Sequence, residues 1–70
     1  MDLNDRHPAV QDVAKHFAYD HLPPHLRPIS KACYDLAEFM VNELSDSPSL
    51  SHGLRALLRA KDDFVRAALD

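Results

Sequence analysis

Five prolines in a chain of 70 residues determine where a continuous helix can run. Proline is tolerated in the first turn of a helix but breaks a helix interior, because it lacks a backbone N–H and its ring clashes with the preceding turn. Pro8 and Pro48 stand at or near the start of segments with helical periodicity, whereas Pro23 and Pro24 lie together between two such segments. Proline and serine therefore divide the chain into three segments, and none of them repeats another.

The first two segments carry apolar residues at helical spacing. We expect a short amphipathic helix over Pro8–Phe17 and an ordered linker over residues 18–24, where the two prolines cannot continue a helix. The second helix should begin between Pro24 and Pro28 and continue to Leu44. Its apolar residues recur at spacings of three and four, and they are Ile29, Cys33, Leu36, Ala37, Met40, Val41 and Leu44.

The third segment follows a turn. Ser45–Ser49 supplies turn and N-cap chemistry, so the chain should reverse there and start a third helix at Ser49 or Ser51 that ends at Ala68. Gly53 weakens its first turns slightly. Its apolar stripe consists of Leu50, Leu54, Leu57, Leu58, Phe64, Val65, Ala68 and Leu69. No segment shows the period of a strand.

The predicted fold is all-α, a single domain over residues 1–70 with residues 1–7 flexible. Two long helices joined by a short loop should pack as an antiparallel hairpin, with the short N-terminal helix laid across one end or lent to a neighbouring copy. A chain of this size buries only about 60% of the surface that its unfolded form exposes, and its single cysteine cannot form an internal disulfide. We therefore expect a homo-oligomer.

Composition and charge exclude several classes of protein. The chain has 11 acidic and 8 basic residues, a net charge of −3 and a pI of 5.9, which argues against a binder of DNA or RNA polymers. No apolar run approaches the roughly 18 residues that span a bilayer, and the first residues lack the apolar stretch of a signal peptide. We expect a soluble protein of a reducing, cytoplasmic compartment with no membrane partner.

One strip of the second helix carries two cations and an aromatic ring. Arg27, Lys31 and Tyr34 stand at i, i+4 and i+7, away from the apolar stripe. Such a strip suits phosphates and a flat base, because the cations neutralise oxygens and the ring offers a stacking surface. The alternative is an ordinary solvated face, with Lys31 paired to Asp35 and Tyr34 half-buried.

The third helix places a cation within its apolar stripe. Lys61 lies between Leu57 and Phe64, where it must extend its ammonium to solvent, pair with a carboxylate, or meet an anion or a second subunit. Arg66 lies with Arg55 and Arg59 on one flank of the same helix, interrupted by two aspartates. That flank suits either surface ion pairs or phosphate.

The linker adds a second aromatic residue. Tyr19 follows Phe17 by two residues, so in extended backbone the two rings point the same way. Phe17 completes the apolar face of the first helix. Tyr19 is either a second core residue or a ring available to a ligand, and the spacing fits both.

The sequence contains no strong pattern of metal ligands or catalytic residues. His16, His21 and His25 lie within ten residues, but the prolines between them and the lack of a second thiol argue against a metal site. Cys33 lies on the apolar line of the second helix and is expected to be a small core residue. No Gly-rich phosphate loop and no nucleophile with an adjacent base are present, so we expect neither a cofactor nor an enzyme.

The order of short motifs resembles the helical-hairpin family of phage anti-defence proteins that includes the anti-CBASS and anti-Thoeris sponges. The resemblance covers residues 16–69. The matching runs are His16-Phe17-Ala18-Tyr19, Leu22-Pro23, Ile29-Ser30-Lys31, Leu36-Ala37-Glu38, Ser47-Pro48, Gly53-Leu54, Leu57-Leu58, Ala60-Lys61-Asp62 and Val65-Arg66-Ala67.

The resemblance implies a small all-α protein that assembles into homo-oligomers, often hexamers, and sequesters cyclic nucleotide messengers of bacterial immunity without cleaving them. It implies that Tyr19 stacks on a base, that Lys31 contacts a phosphate, and that Arg66 and Lys61 are basic positions of the site. The chain departs from the family in being shorter, in having Cys33 and Tyr34 at variable positions, and in lacking the N-terminal sheet domain of the anti-Thoeris members.

Two functions from different classes follow. The first is a phage protein that sequesters cyclic dinucleotides or trinucleotides in the host cytoplasm, in a pocket formed between copies. Its ligand would contact Tyr19, Lys31 and Tyr34 together with Arg27, Lys61 and Arg66. The alternative is a small helical protein–protein interaction module of a phage or bacterium.

Overall fold

A computed structural model describes residues 1–70 and contains only helices and their connections. Helix α1 spans Pro8–Ala14 and continues into a 3₁₀ turn over Lys15–Phe17, helix α2 spans Arg27–Glu43, and helix α3 spans Pro48–Leu69. The all-α class predicted from the sequence is confirmed. The predicted first helix has the expected extent, although its last turn is 3₁₀.

The helix ends follow from local chemistry. The Ser47 hydroxyl accepts a hydrogen bond from the backbone N–H of Leu50 at 3.1 Å, which satisfies a donor that the first turn of α3 cannot pair. Pro48 then takes the first position of α3, one residue before the earliest predicted start. The His7 Nδ1 atom accepts from the N–H of Ala9 at 3.0 Å and caps α1 in the same way.

The core lies on one side of the α2–α3 hairpin. Helix α1 packs against α3, and the 3₁₀ turn packs against α2. The N-terminal helix therefore covers its own hairpin. The buried side chains that meet there are Val10, Val13, Phe17, Cys33, Ala37, Val41, Leu50 and Leu54.

The apolar stripe of α2 is only half buried. Cys33, Ala37 and Val41 face the core, whereas Leu36 is 45% exposed and Leu44 is 48% exposed. The stripe is wider than the surface that α1 and α3 cover, because a helix with apolar residues three and four apart presents a broad face. One face of the hairpin is consequently left uncovered.

The N-terminal segment is attached to the hairpin loop. Arg6 donates from Nε to Asp46 Oδ1, from Nη1 to the carbonyl of Val41 and from Nη2 to the carbonyl of Leu44, each at 2.7 Å. The backbone N–H of His7 donates to Asp46 Oδ2 at 2.6 Å. That backbone bond and the nearby Arg6 guanidinium lower the pKa of Asp46 below its ordinary value. Residues 1–7, which are predicted above to be flexible, thus include a dense set of contacts at residues 6 and 7.

Helix α3 is the longest helix, with 22 residues. No helix of the structure combines the length and the hydropathy needed to cross a bilayer.

Candidate functional site

Two tyrosines from different parts of the chain form an aromatic pair. Tyr19, in the linker after the 3₁₀ turn, lies with its ring centroid 5.3 Å from that of Tyr34 on α2, and the ring planes meet at 68°. Both residues are half-buried. An edge-to-face pair of this geometry is a favourable arrangement for aromatic quadrupoles. The pair fixes the linker against the middle of α2 and leaves part of each ring at the surface.

The hydroxyl of Tyr34 is bonded within the chain. It accepts a hydrogen bond from the Met1 amine at 2.7 Å and lies 3.5 Å from Glu38 Oε2. The same amine forms an ion pair with Glu38 at 3.2 Å. Burial, followed by the negative charge of Glu38, raises the pKa of Tyr34 above its ordinary value. The phenol therefore stays protonated, and its oxygen belongs to a polar network of this chain.

Lys31 lies on α2, three residues before Tyr34. Its ammonium donates to Asp35 Oδ2 at 2.7 Å, and both side chains are about half exposed. The hydrogen bond and the charge of Asp35 raise the pKa of Lys31, to which Tyr19 and Glu38 also contribute. The pair with Asp35 is the arrangement of an ordinary solvated face. The ammonium nevertheless remains charged and accessible.

The Lys61 side chain extends from the apolar stripe of α3 to the 3₁₀ turn. Its ammonium donates to the carbonyl oxygen of His16 at 2.8 Å. A carbonyl at the end of a short helix has no partner within that helix, so a cation is well suited to it. The pKa of the buried Cys33 thiol is raised by burial, and the nearby charge of Lys61 opposes that rise.

Lys61 and Arg66 border the same shallow cleft. The cleft has a volume of about 340 Å³ and is lined by Leu22, Lys61, Asp62, Val65, Arg66 and Leu69. Arg66 is exposed and pairs with Asp63 at 3.2 Å. The two cations predicted from α3 are therefore neighbours in space, on a surface that also holds two aspartates.

Arg27 holds the linker at the start of α2. Its Nε atom donates to the carbonyl of Leu22 at 2.8 Å, and Leu22 in turn lines the cleft of Lys61 and Arg66. Five of the six predicted site residues thus fall into two groups, the tyrosine pair with Lys31 and the cleft of Lys61 and Arg66. The sixth, Arg27, is bonded to the linker. No cleft of the monomer includes Tyr19, Tyr34 or Lys31.

A polar pocket at the hairpin loop was missed by sequence reasoning. It has a volume of about 360 Å³, and its polar lining comes from His7, Asp46, Ser47, Ser51, His52 and Arg55. These residues meet because Arg6 and His7 bind Asp46, a contact across some 40 positions of sequence. The only sequence signal was the placement of Arg55 on the basic flank of α3.

The histidines are dispersed. His16, His21 and His25 are all exposed, and no three His, Cys, Asp or Glu side chains come together in a group that could hold a metal ion. Cys33 is a free, buried thiol.

Comparison of the chain with known protein families, with curated proteins and with solved structures yields no match.

Proposed function

We propose that this chain is a phage anti-defence protein that binds cyclic oligonucleotide immune messengers in the host cytoplasm and sequesters them without cleavage. The observation that carries the proposal is the Tyr19–Tyr34 pair together with the exposed ammonium of Lys31, which stands three residues before Tyr34 on α2. A ring at the surface next to a cation supplies the two interactions that a nucleotide needs, stacking and charge neutralisation.

The ligand would be bound across copies of the chain. No cleft of the monomer holds both the tyrosine pair and the cations Lys61 and Arg66. A homo-oligomer, with a hexamer favoured by the family resemblance, would set the tyrosine pair of one protomer against the cations of another. A phosphate of the ligand would replace Asp35 as the partner of Lys31, because an exposed ion pair contributes little free energy.

Sequestration requires binding and nothing more. A protein present in excess over its messenger lowers the free concentration by mass action, so no nucleophile, base or metal is needed. Binding by an aromatic pair and lysines leaves the phosphodiester bonds unactivated. We therefore infer a non-enzymatic function.

A binding panel tests this proposal. Equilibrium dialysis of the purified chain against cyclic dinucleotides and cyclic trinucleotides should show retention of at least one, and denaturation of the complex should release it chemically intact. Lys31→Ala should reduce retention at least tenfold, while the matched variant Lys15→Ala, an exposed lysine on the 3₁₀ turn, should bind as the wild type does. Release of a linear product would show an enzyme instead.

A second function has its own supporting observation. The hairpin face left uncovered by α1 exposes large apolar residues, among them Leu36 and Phe64. A small helical module that docks on another protein would use such a face. Absence of nucleotide binding, together with a monomeric chain in solution, would favour this alternative.

A further inference from the structure

The uncovered face of the hairpin has a regular pattern on α3. Six uncharged residues of this helix follow one another at spacings of three and four. Large and small side chains alternate among them, in the order Leu50, Gly53, Leu57, Ala60, Phe64 and Ala67. A spacing of three and four is the repeat of helices that pack along their length. Phe64 is 56% exposed, and the space where a side chain at Gly53 would lie is open. Leu50 is buried in the core, so the part of the pattern that stays at least partly exposed runs from Gly53 to Ala67.

Helix α2 contributes the other half of this face. Ile29, Ala32 and Leu36 follow the same spacing, and Met40 continues the exposed apolar surface towards the loop. We call these residues, with the five of α3 from Gly53 to Ala67, the open face.

Two grooves between α2 and α3 join along the open face. One has a volume of about 640 Å³ and the other about 440 Å³, and they share Leu36 and Leu57. None of the residues that line either groove is an Asp, Glu, Lys, Arg or His. An uncharged groove offers no ion pair to an occupant, so the occupant must itself be apolar along the contact.

We propose that a second copy of this chain occupies the open face, so that two hairpins form an antiparallel four-helix bundle. The face is complementary to itself: the large residues Leu57 and Phe64 of one copy can fill the positions that Gly53, Ala60 and Ala67 leave open in the other. Alternation of large and small side chains across facing positions is how packed helical layers interdigitate, and a two-fold axis requires such self-complementarity.

The size of the molecule leaves room for a stable dimer. The molecule measures 36 × 19 × 18 Å along its principal axes. The whole of one long side therefore has an outline of roughly 700 Å², which is the upper limit for the open face and approaches the 800 Å² or so that each partner contributes to a typical stable interface. Only 12 of the 70 residues are buried in the single chain. The second copy would supply the core that a chain of this length lacks.

The dimer does not depend on the proposed function. It gives the homo-oligomer a specific interface, but it predicts self-association with no nucleotide present. A dimer that binds no nucleotide would leave this inference intact and would remove the sequestration proposal.

Sedimentation equilibrium of the nucleotide-free chain tests the inference. We expect the wild type to have at least twice the 7.9 kDa mass of one chain. Leu36→Asp and Phe64→Asp should each weaken association about thirtyfold or more, as loss of a central interface residue does. The matched control is Leu69→Asp, because Leu69 is an equally apolar and 63% exposed residue outside the open face.

Gly53→Leu separates loss of the dimer from loss of folding. Because nothing lies within 4 Å of a Cβ atom at position 53 and leucine favours a helix over glycine, the hairpin itself should be at least as stable. The dimer should dissociate, since the added leucine fills a position that the partner needs. A monomeric wild type, or association unchanged in Gly53→Leu and Phe64→Asp, would overturn the inference.

Discussion

Tyr19 and Tyr34 meet edge to face, with their ring centroids 5.3 Å apart, and this contact joins the linker to α2. The two residues differ in their hydroxyl groups. The Tyr34 oxygen bonds to the Met1 amine and approaches Glu38, whereas the structure assigns the Tyr19 oxygen no hydrogen bond. The pair therefore combines one ring anchored by a polar network with one ring whose polar tip is free for a ligand.

Tyr34→Phe should be destabilising, and Tyr19→Phe should not. Removal of the Tyr34 hydroxyl leaves the Met1 amine with one partner fewer, and one lost hydrogen bond of this kind costs about 0.5–1.5 kcal/mol in the free energy of unfolding. Urea denaturation of both variants measures the difference. Equal stability of the two variants would show that the hydrogen bond at 2.7 Å contributes nothing in solution.

The effect of Asp46→Asn on the free energy of unfolding should depend on pH. The pKa of Asp46 is lower in the folded chain than its ordinary value of 3.8, so the carboxylate stabilises the fold above that value and the stabilisation is lost as pH falls through the folded pKa. Wild type and Asp46→Asn should therefore differ at pH 7, and the difference should shrink as the pH falls below 3.8. A difference in the free energy of unfolding that stays constant over this range would contradict the assignment.

Ser30→Ala should give a more stable chain than Ser51→Ala. Both serines are buried in helices, so the gain in helix propensity is shared. The Ser51 hydroxyl donates to the carbonyl of Ser47 at 3.2 Å, whereas the buried Ser30 hydroxyl has no partner. An unpaired buried hydroxyl costs free energy that alanine restores, so we expect Ser30→Ala to be more stable by roughly 1 kcal/mol. Thermal unfolding compares them, and the reverse order would contradict the prediction.

Lys61→Met should lower stability even without a ligand. Methionine keeps the apolar stem of Lys61 but loses the hydrogen bond to the His16 carbonyl, which we expect to cost about 0.5–1.5 kcal/mol. Lys15→Met serves as the control, since substitution of an exposed lysine normally changes stability by less than about 0.5 kcal/mol. Chemical denaturation with no nucleotide present measures both, and equal stability would contradict a contribution of the Lys61 hydrogen bond to the fold.

The helices could be predicted from the sequence because their signals are local. Proline at positions 8 and 48, the Ser47 cap and the three-and-four spacing of apolar residues all act within one or two turns. The three helices accordingly lie within one or two residues of the predicted ends, apart from the 3₁₀ turn that closes the first.

Long-range contacts could not be predicted in the same way. The bond from Lys61 to the His16 carbonyl and the three bonds of Arg6 depend on how the N-terminal segment docks on the hairpin. Periodicity shows which face of α2 is apolar, but it does not show that α1 covers only half of that face. The pairing of Lys31 with Asp35 is the exception, because a spacing of four residues brings opposite charges together on any helix.

Isothermal titration calorimetry of the wild-type chain with cyclic dinucleotides and cyclic trinucleotides tests the central claim most directly. The account predicts saturable heat with at least one of these ligands and its loss in Lys31→Ala, with a protein that remains an oligomer throughout. No heat with any member of either class, from a folded protein at concentrations well above those of a cellular messenger, would contradict it.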